Sequence, residues 1–214
     1  MFLGFFFSLY GLMHLYICKK ILSQTNFPGA LNICVVIFLA LMVVSPVLCR
    51  VCGARRVGGA TYIITLISFL WMGFAYYLFL INAAVDLINM SGKLTRLATS
   101  GGHPFLIVPK DFSTLVVTLF MTACICTYAY FEALKIGVTR VTIQTPKLPK
   151  DVDELVIAQI SDLHLGILVG ERRLEKVTRI LKEIKPDILF STGDLVDANV
   201  NILRDLAEKL RNID

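Results

Sequence analysis

Two short stretches carry residue types able to hold divalent ions: Ser161-Asp162-Leu163-His164-Leu165-Gly166 and, about thirty residues later, Gly193-Asp194-Leu195-Val196-Asp197. Carboxylate oxygens and imidazole nitrogens are the donors such ions prefer. Each stretch follows a short apolar run, 155–160 and 188–192, that reads as a buried strand. Between the runs, 171–184 reads as an amphipathic helix, with Leu174, Val177, Leu181 and Ile184 on one stripe and Arg172, Arg173, Lys176, Lys182 and Glu183 mostly elsewhere. Glu175 precedes Arg179 in the favourable i, i+4 order, and Pro186 blocks continuation of the helix. The charges on this helix read as a solvated face. Strand, helix and strand make a βαβ unit, and a right-handed crossover sets both strand ends on one edge of a parallel sheet. Asp162, His164 and Asp194 are therefore expected to converge on a metal centre.

An Asp at a strand end also forms turns or caps helices, and Asp-x-His alone is a weak pattern. The joint occurrence, each motif after a buried strand, favours the metal. The pair Asp-x-His and Gly-Asp-x-x-Asp resembles the first two motifs of the calcineurin-like metallophosphoesterase family, and 138–149 followed by 155–160 resembles the way membrane-attached members enter the domain. The resemblance covers 138–214. It implies an α/β domain of αββα-sandwich type and a pair of divalent ions (Mn, Fe, Zn or similar). By the same resemblance Asp162 and His164 bind the first ion, Asp194 bridges both, Asp197 orients a ligand without binding metal, and Gly193 lets the backbone turn sharply. Gly166 could serve likewise after His164. Ions so placed activate water and stabilise charge on phosphoryl oxygens.

The family's later motifs, Gly-Asn-His-Asp/Glu, a separate His and Gly-His-x-His, do not occur in this sequence. The catalytic proton donor thus has no counterpart, because His14 lies in an apolar run and His103 in a loop between runs. A second amphipathic helix begins near Asn199 or Asn201, with Leu203, Leu206, Leu210 and Ile213 inward, and the strand it should lead to is absent. The expectation is a truncated chain, inactive by itself.

The elements that carry these residues occupy only the last part of the sequence. Of 21 Lys and Arg and 16 Asp and Glu, positions 1–131 hold eight basic and two acidic residues. The mean hydropathy of +0.72 averages an apolar part with a polar one. Four nearly uncharged runs, 2–18, 30–49, 61–85 and 113–134, approach or exceed the length of a membrane helix, about 20 residues. The first has no basic region before it and no small-residue cleavage pattern after it, so it reads as a retained helix. The division expected is 1–135 as a four-helix transmembrane region and 136–214 as the first part of the catalytic domain.

The formal net charge of +5 belongs to loops flanking these runs, and no basic cluster interleaved with aromatics suggests nucleic acid as a partner. Lys19, Lys20, Lys93, Arg96 and Lys110 flank one membrane face; Arg50, Arg55, Arg56, Lys135, Arg140, Lys147 and Lys150 flank the other. The only charges near the first run follow it, which leans towards an amino terminus and soluble module outside the cytoplasm. Asp86, at the end of the third run, reads as an interfacial, hydrated carboxylate, and the helices as an anchor or lipid-facing platform.

All of Cys18, Cys34, Cys49, Cys52, Cys124 and Cys126 lie in or beside the apolar runs. Cys49-x-x-Cys52 has redox or metal spacing, but a zinc site needs further ligands and a redox motif a strand-to-helix setting. They read as small apolar residues at a membrane face, some of them open to acylation. The leading function is a membrane-anchored, metal-dependent phosphoesterase whose substrate could be lipid-linked. A non-enzymatic membrane interaction protein with a decayed domain and a cysteine-based redox protein are the competing classes.

Overall fold

The computed structural model describes residues 2–55, 59–98, 107–166 and 169–196. The chain divides into two compact units, one of long helices and one containing the residues from 134 onward. The helical unit comprises α1 (Phe2–Gln24), α2 (Gly29–Arg55), α3 (Gly59–Ala98) and α4 (Phe112–Ala133), each long and apolar enough to cross a membrane. A helix closes its own backbone hydrogen bonds, so such sequences have no cheaper form in a bilayer. Pro46 lies inside α2, where a membrane helix tolerates it, and Ser45 Oγ donates to the Met42 carbonyl one turn before.

The helices pack through Ile17, Leu39, Ala75 and Leu78, with Trp71, Phe74 and Phe79 around them. A polar relay ties α1 to α3. Trp71 Nε1 donates to His14 Nε2 at 2.9 Å, and His14 Nδ1 lies 2.8 Å from the Tyr10 carbonyl. An indole N–H can only donate, so Nε2 accepts and the imidazole carries its proton on Nδ1. Cys49, buried between α2 and α3, donates to Ser68 Oγ at 3.1 Å, an ordinary helix contact. The side chain of Cys52 lies outside the described residues.

Two features differ from the sequence expectation. The third helix does not stop at the end of its apolar run. At 40 residues and about 1.5 Å per residue it is about 60 Å long, twice the hydrocarbon thickness. Residues 86–98 contain no proline, so a charge ends the apolar run without ending the helix. Asp86 is correspondingly no free interfacial carboxylate: Lys20 Nζ donates to Oδ1 at 2.6 Å, Tyr16 OH donates to Oδ2 at 2.7 Å, and Lys110 Nζ stands 3.5 Å from Oδ1. Lys20, expected just beyond the first span, lies inside α1 with a side chain 10% exposed. Two lysines from the face assigned to Lys19, Lys20 and Lys110 thus meet one carboxylate.

In the second unit, β1 (Ile157–Ile160) pairs in parallel with β2 (Ile188–Ser191), Ile157 opposite Ile188 and Ile160 opposite Ser191, with α5 (Glu171–Ile184) as the crossover. This strand–helix–strand arrangement after four apolar helices is the expected fold class at the level of an α/β beginning. Leu174, Val177 and Leu181 of α5 are buried against Leu163 and Leu165, with Ala158 and Ile160 beside them, while Ile184 is half-buried. Lys185 ends α5 in the left-handed conformation, its N–H on the Leu181 carbonyl at 2.8 Å. The far side of the sheet leaves Ile157 and Phe190 half exposed. Residues 138–143 form no strand, and the helix expected from 199 lies outside the described residues.

Two expectations follow for the helical unit. Asp86→Leu should cost roughly 1–3 kcal/mol, because it strands the buried Lys20 ammonium, whereas Lys20→Met with Asp86→Leu should recover most of that loss; thermal unfolding in detergent measures both. The second concerns Asp111, whose carboxylate accepts from Ser113 Oγ (2.7 Å) and the Thr114 amide (3.0 Å), capping α4. These bonds, the Ser113 hydroxyl first, hold its pKa below the usual value. A lowered folded-state pKa gives stability that is present above the unfolded value, about 3.9, and lost as pH falls through the folded value. The protection factor of the Thr114 amide, which compares its exchange with that of an unstructured amide at the same pH, should therefore fall in acid, and should be low at every pH in Asp111→Ala.

Candidate metal centre

The site is built by backbone pairing that outlasts the regular strands. Beyond Ile160 and Ser191 the two chains continue side by side: Thr192 N donates to Ile160 O, Asp162 N to Gly193 O, His164 N to Asp194 O and Leu165 N to Leu195 O, at 2.9–3.2 Å. Leu165 and Val196 close the run as a parallel bridge. At the opposite end, Asp187 Oδ2 accepts from the Val156 amide at 2.7 Å and fixes the start of the pairing.

Within Asp162-Leu163-His164-Leu165 the side chains alternate. Leu163 and Leu165 are 7% and 0% exposed in the core under α5, while Asp162 and His164 remain open to solvent. Burial of each leucine is worth about 1.5–3 kcal/mol, which holds the backbone that presents the two polar side chains. Ser161 Oγ donates to Asp162 Oδ2 at 2.5 Å, and Gln159 Nε2 to Thr192 Oγ1 at 3.0 Å.

The backbone at the site is unusual. Asp162, His164 and Asp194 all have positive φ, 54°, 47° and 42°, and Gly193 has φ of 139°. Left-handed geometry costs a residue with a Cβ roughly 1–2 kcal/mol, less for Asp and His, which are enriched there. The φ of Gly193 lies in a region only glycine enters readily. Strain gathered at one point of a fold is commonly tied to a functional constraint.

The structure brings Asp162, His164 and Asp194 together, one ligand atom from each lying within 4.8 Å of the others. His164 Nε2 and Asp162 Oδ1 are 3.8 Å apart. Donors sharing one ion at about 2.1 Å sit roughly 3–3.4 Å from each other, so a small side-chain rotation closes the gap. The donor set, two carboxylates and an imidazole, fits a hard or borderline divalent ion. Gly166 donates its N–H to the Val169 carbonyl at 2.8 Å. Asp197 lies outside the described residues. Sequence reasoning missed Ser161 and the anchoring by Leu163 and Leu165, although the polar–apolar alternation was readable.

Comparison with known proteins agrees with this chemistry. The calcineurin-like phosphoesterase family matches residues 155–213. A transmembrane protein with metallophosphoesterase domain from Danio rerio is 30% identical over 98% of this chain and 48% of its own length. An uncharacterized metallophosphoesterase of Aquifex aeolicus is 40% identical over 44% of this chain and 36% of its own length. The UDP-2,3-diacylglucosamine pyrophosphatase LpxG of Chlamydia trachomatis is 37% identical over 39% of this chain and 26% of its own length. The chain thus spans half or less of the length of these relatives. No solved structure matches it significantly.

The left-handed backbone makes a checkable statement about stability. At position 194 the usual order of substitutions should invert, Asp194→Gly being more stable than Asp194→Ala by about 1 kcal/mol, as read by thermal unfolding of the full chain. Equal stabilities would mean that the loop relaxes out of the left-handed conformation.

Proposed function

Over residues 155–213 this chain carries the sequence of the calcineurin-like phosphoesterase family, with membrane-spanning proteins among its relatives, and from that premise we propose that it belongs to a membrane-anchored, metal-dependent phosphoesterase. Residues 1–135 are the anchor, and 136–214 the first part of an αββα catalytic domain. The observation that carries the reading is the convergence of Asp162, His164 and Asp194 at the carboxyl ends of two parallel strands, on backbone held left-handed at all three positions.

Asp162 and His164 would hold the first of two divalent ions, and Asp194 would be a ligand shared by both. Bound there, the ions would supply an activated water and charge stabilisation on the phosphoryl oxygens. Ser161, by donating to Asp162 Oδ2, directs Oδ1 towards His164. Asp197 orients a ligand, and Gly193 admits the turn that brings Asp194 under the Asp162 loop. The three donors within the described residues suffice for one ion and leave the second short, so the remaining ligands and the proton donor come from residues beyond this set.

The substrate is a phosphoester or pyrophosphate, and a lipid-linked one is favoured by attachment to four spans and by similarity to a pyrophosphatase named for a diacylated sugar nucleotide. The soluble unit is placed outside the cytoplasm, on the charge distribution around the first span.

Metal binding tests the assignment independently of turnover. The purified chain should bind manganese. Asp162→Asn, His164→Ala and Asp194→Asn each remove one of the three donors to that ion and should weaken binding, with partial rescue by excess metal, whereas Asp197→Asn should cost only about 10- to 100-fold. Binding that survives Asp194→Asn unchanged would sink its role as a ligand. The 214-residue chain should not turn over an aryl phosphodiester. Metal-dependent hydrolysis lost on Asp194→Asn would instead place the missing ligands on another subunit.

A further inference from the structure

Asp162 and His164 stand on one chain segment and Asp194 on another, about thirty residues further on. The covalent link between the two strands runs from the carboxyl end of β1 through α5 to the amino end of β2. At the carboxyl edge, therefore, only non-covalent pairing sets how far apart the donors stand. The backbone there is also permissive. Gly193, with φ of 139°, immediately precedes Asp194, and a residue without a Cβ has the widest conformational range to lose.

One side-chain bond spans the two segments at this point: Gln159 Nε2 donates to Thr192 Oγ1 at 3.0 Å. Ala158 and Ile160 pack against the buried cluster of α5, so Gln159, between them in a strand, points to the opposite face. Its contact places the Thr192 side chain on that face as well. The bond sits at the last regular rung of the ladder. Thr192 N donates to Ile160 O at 3.1 Å, and the next bond, from Asp162 N to Gly193 O, already belongs to the left-handed stretch. Thr192 is covalently next to Gly193, and Gln159 lies three residues before Asp162. A brace at this rung limits the swing of Gly193 and the distance by which the Asp194 segment can part from the Asp162 loop. Ser161 acts on a different variable, since it orients one carboxylate and spans no gap.

We propose that Gln159 and Thr192 are positioning residues for the metal centre, their side-chain hydrogen bond holding the Asp194 segment at the separation from Asp162 and His164 that a shared divalent ion needs. The inference rests on the proposed assignment of those three side chains as ligands and adds two residues that touch no ion. A hydrogen bond of this kind shifts an equilibrium roughly 2- to 10-fold. Whether the shift appears in metal affinity separates positioning from ordinary structural support. A bond equally strong with and without the ion alters unfolding and leaves affinity unchanged, whereas one that restrains the donors is coupled to the ion.

The test is the manganese affinity of the full chain in detergent, read from the paramagnetic resonance signal of free Mn(II), beside thermal unfolding of the metal-free chain. Thr192→Val keeps the side-chain shape and removes the acceptor; Gln159→Leu removes the donor. Each should weaken affinity roughly 2- to 10-fold, while Thr192→Ser, which keeps the hydroxyl, should retain it. The double variant should be no weaker than the weaker single one, because both lose the same bond. Wild-type affinity in Thr192→Val would overturn the proposal, even with a lowered unfolding temperature, since the bond would then serve the fold alone. Losses that add in the double variant would overturn it too, as two unrelated disturbances. A wild-type chain that binds no manganese would refute the metal-centre reading and this inference with it. Binding weakened by Asp194→Asn but indifferent to Thr192→Val and Gln159→Leu would refute this inference alone.

Discussion

Everything in the second unit depends on two chain segments staying paired after their strands have ended. A regular parallel ladder would continue with extended backbone. Here the pairing persists through left-handed residues, the hydrogen bonds of Asp162, His164 and Leu165 to the 193–195 segment are kept, and the side chains of Asp162, His164 and Asp194 lie together. The leucines between them make this possible, since Leu163 and Leu165 tie the same backbone to α5. Hydrophobic burial and polar display are two sides of one four-residue pattern.

The helical unit solves a different problem with related means. A polar group within a bilayer is tolerated when another protein group meets it. His14 and Trp71, and Lys20 with Tyr16 and Asp86, are such meetings, and both join α1 to α3. Lipid-facing helices alone would gain little by associating, since acyl chains are as apolar as leucine; interhelical polar contacts and close packing do that work. The helices therefore hold a specific arrangement, beyond the anchor that their composition suggests.

Much of this was legible from residue pattern. The strand ends, the α5 stripe and the convergence of Asp162, His164 and Asp194 follow from periodicity and the handedness of crossovers. What escaped was conformation that no periodicity encodes. Asp and His enter the left-handed region often enough that their presence does not announce it, and only Gly193 hinted at it. The extent of α3 escaped for another reason: an apolar run marks where a helix meets lipid, and helix propensity in 86–98 carries the backbone past that boundary. The burial of Lys20 depended on a partner 66 residues away, a pairing that local charge cannot reveal.

The alternative explanation for strand-end aspartates, that they form turns or cap the following helix, can be weighed against the geometry. The helix after Asp162 is capped at Gly170 with no side-chain hydrogen bond, so Asp162 does not serve that purpose for α5. A turn former usually folds its carboxylate back onto nearby backbone amides. The amides of Asp162 and His164 are instead spent on carbonyls across the pairing, and the Asp162 carboxylate accepts from the Ser161 hydroxyl. Asp162 is left exposed, with Oδ1 turned towards His164. Backbone strain, anchoring leucines and an open carboxylate would be a costly way to make a turn, and they fit a preorganised cation site.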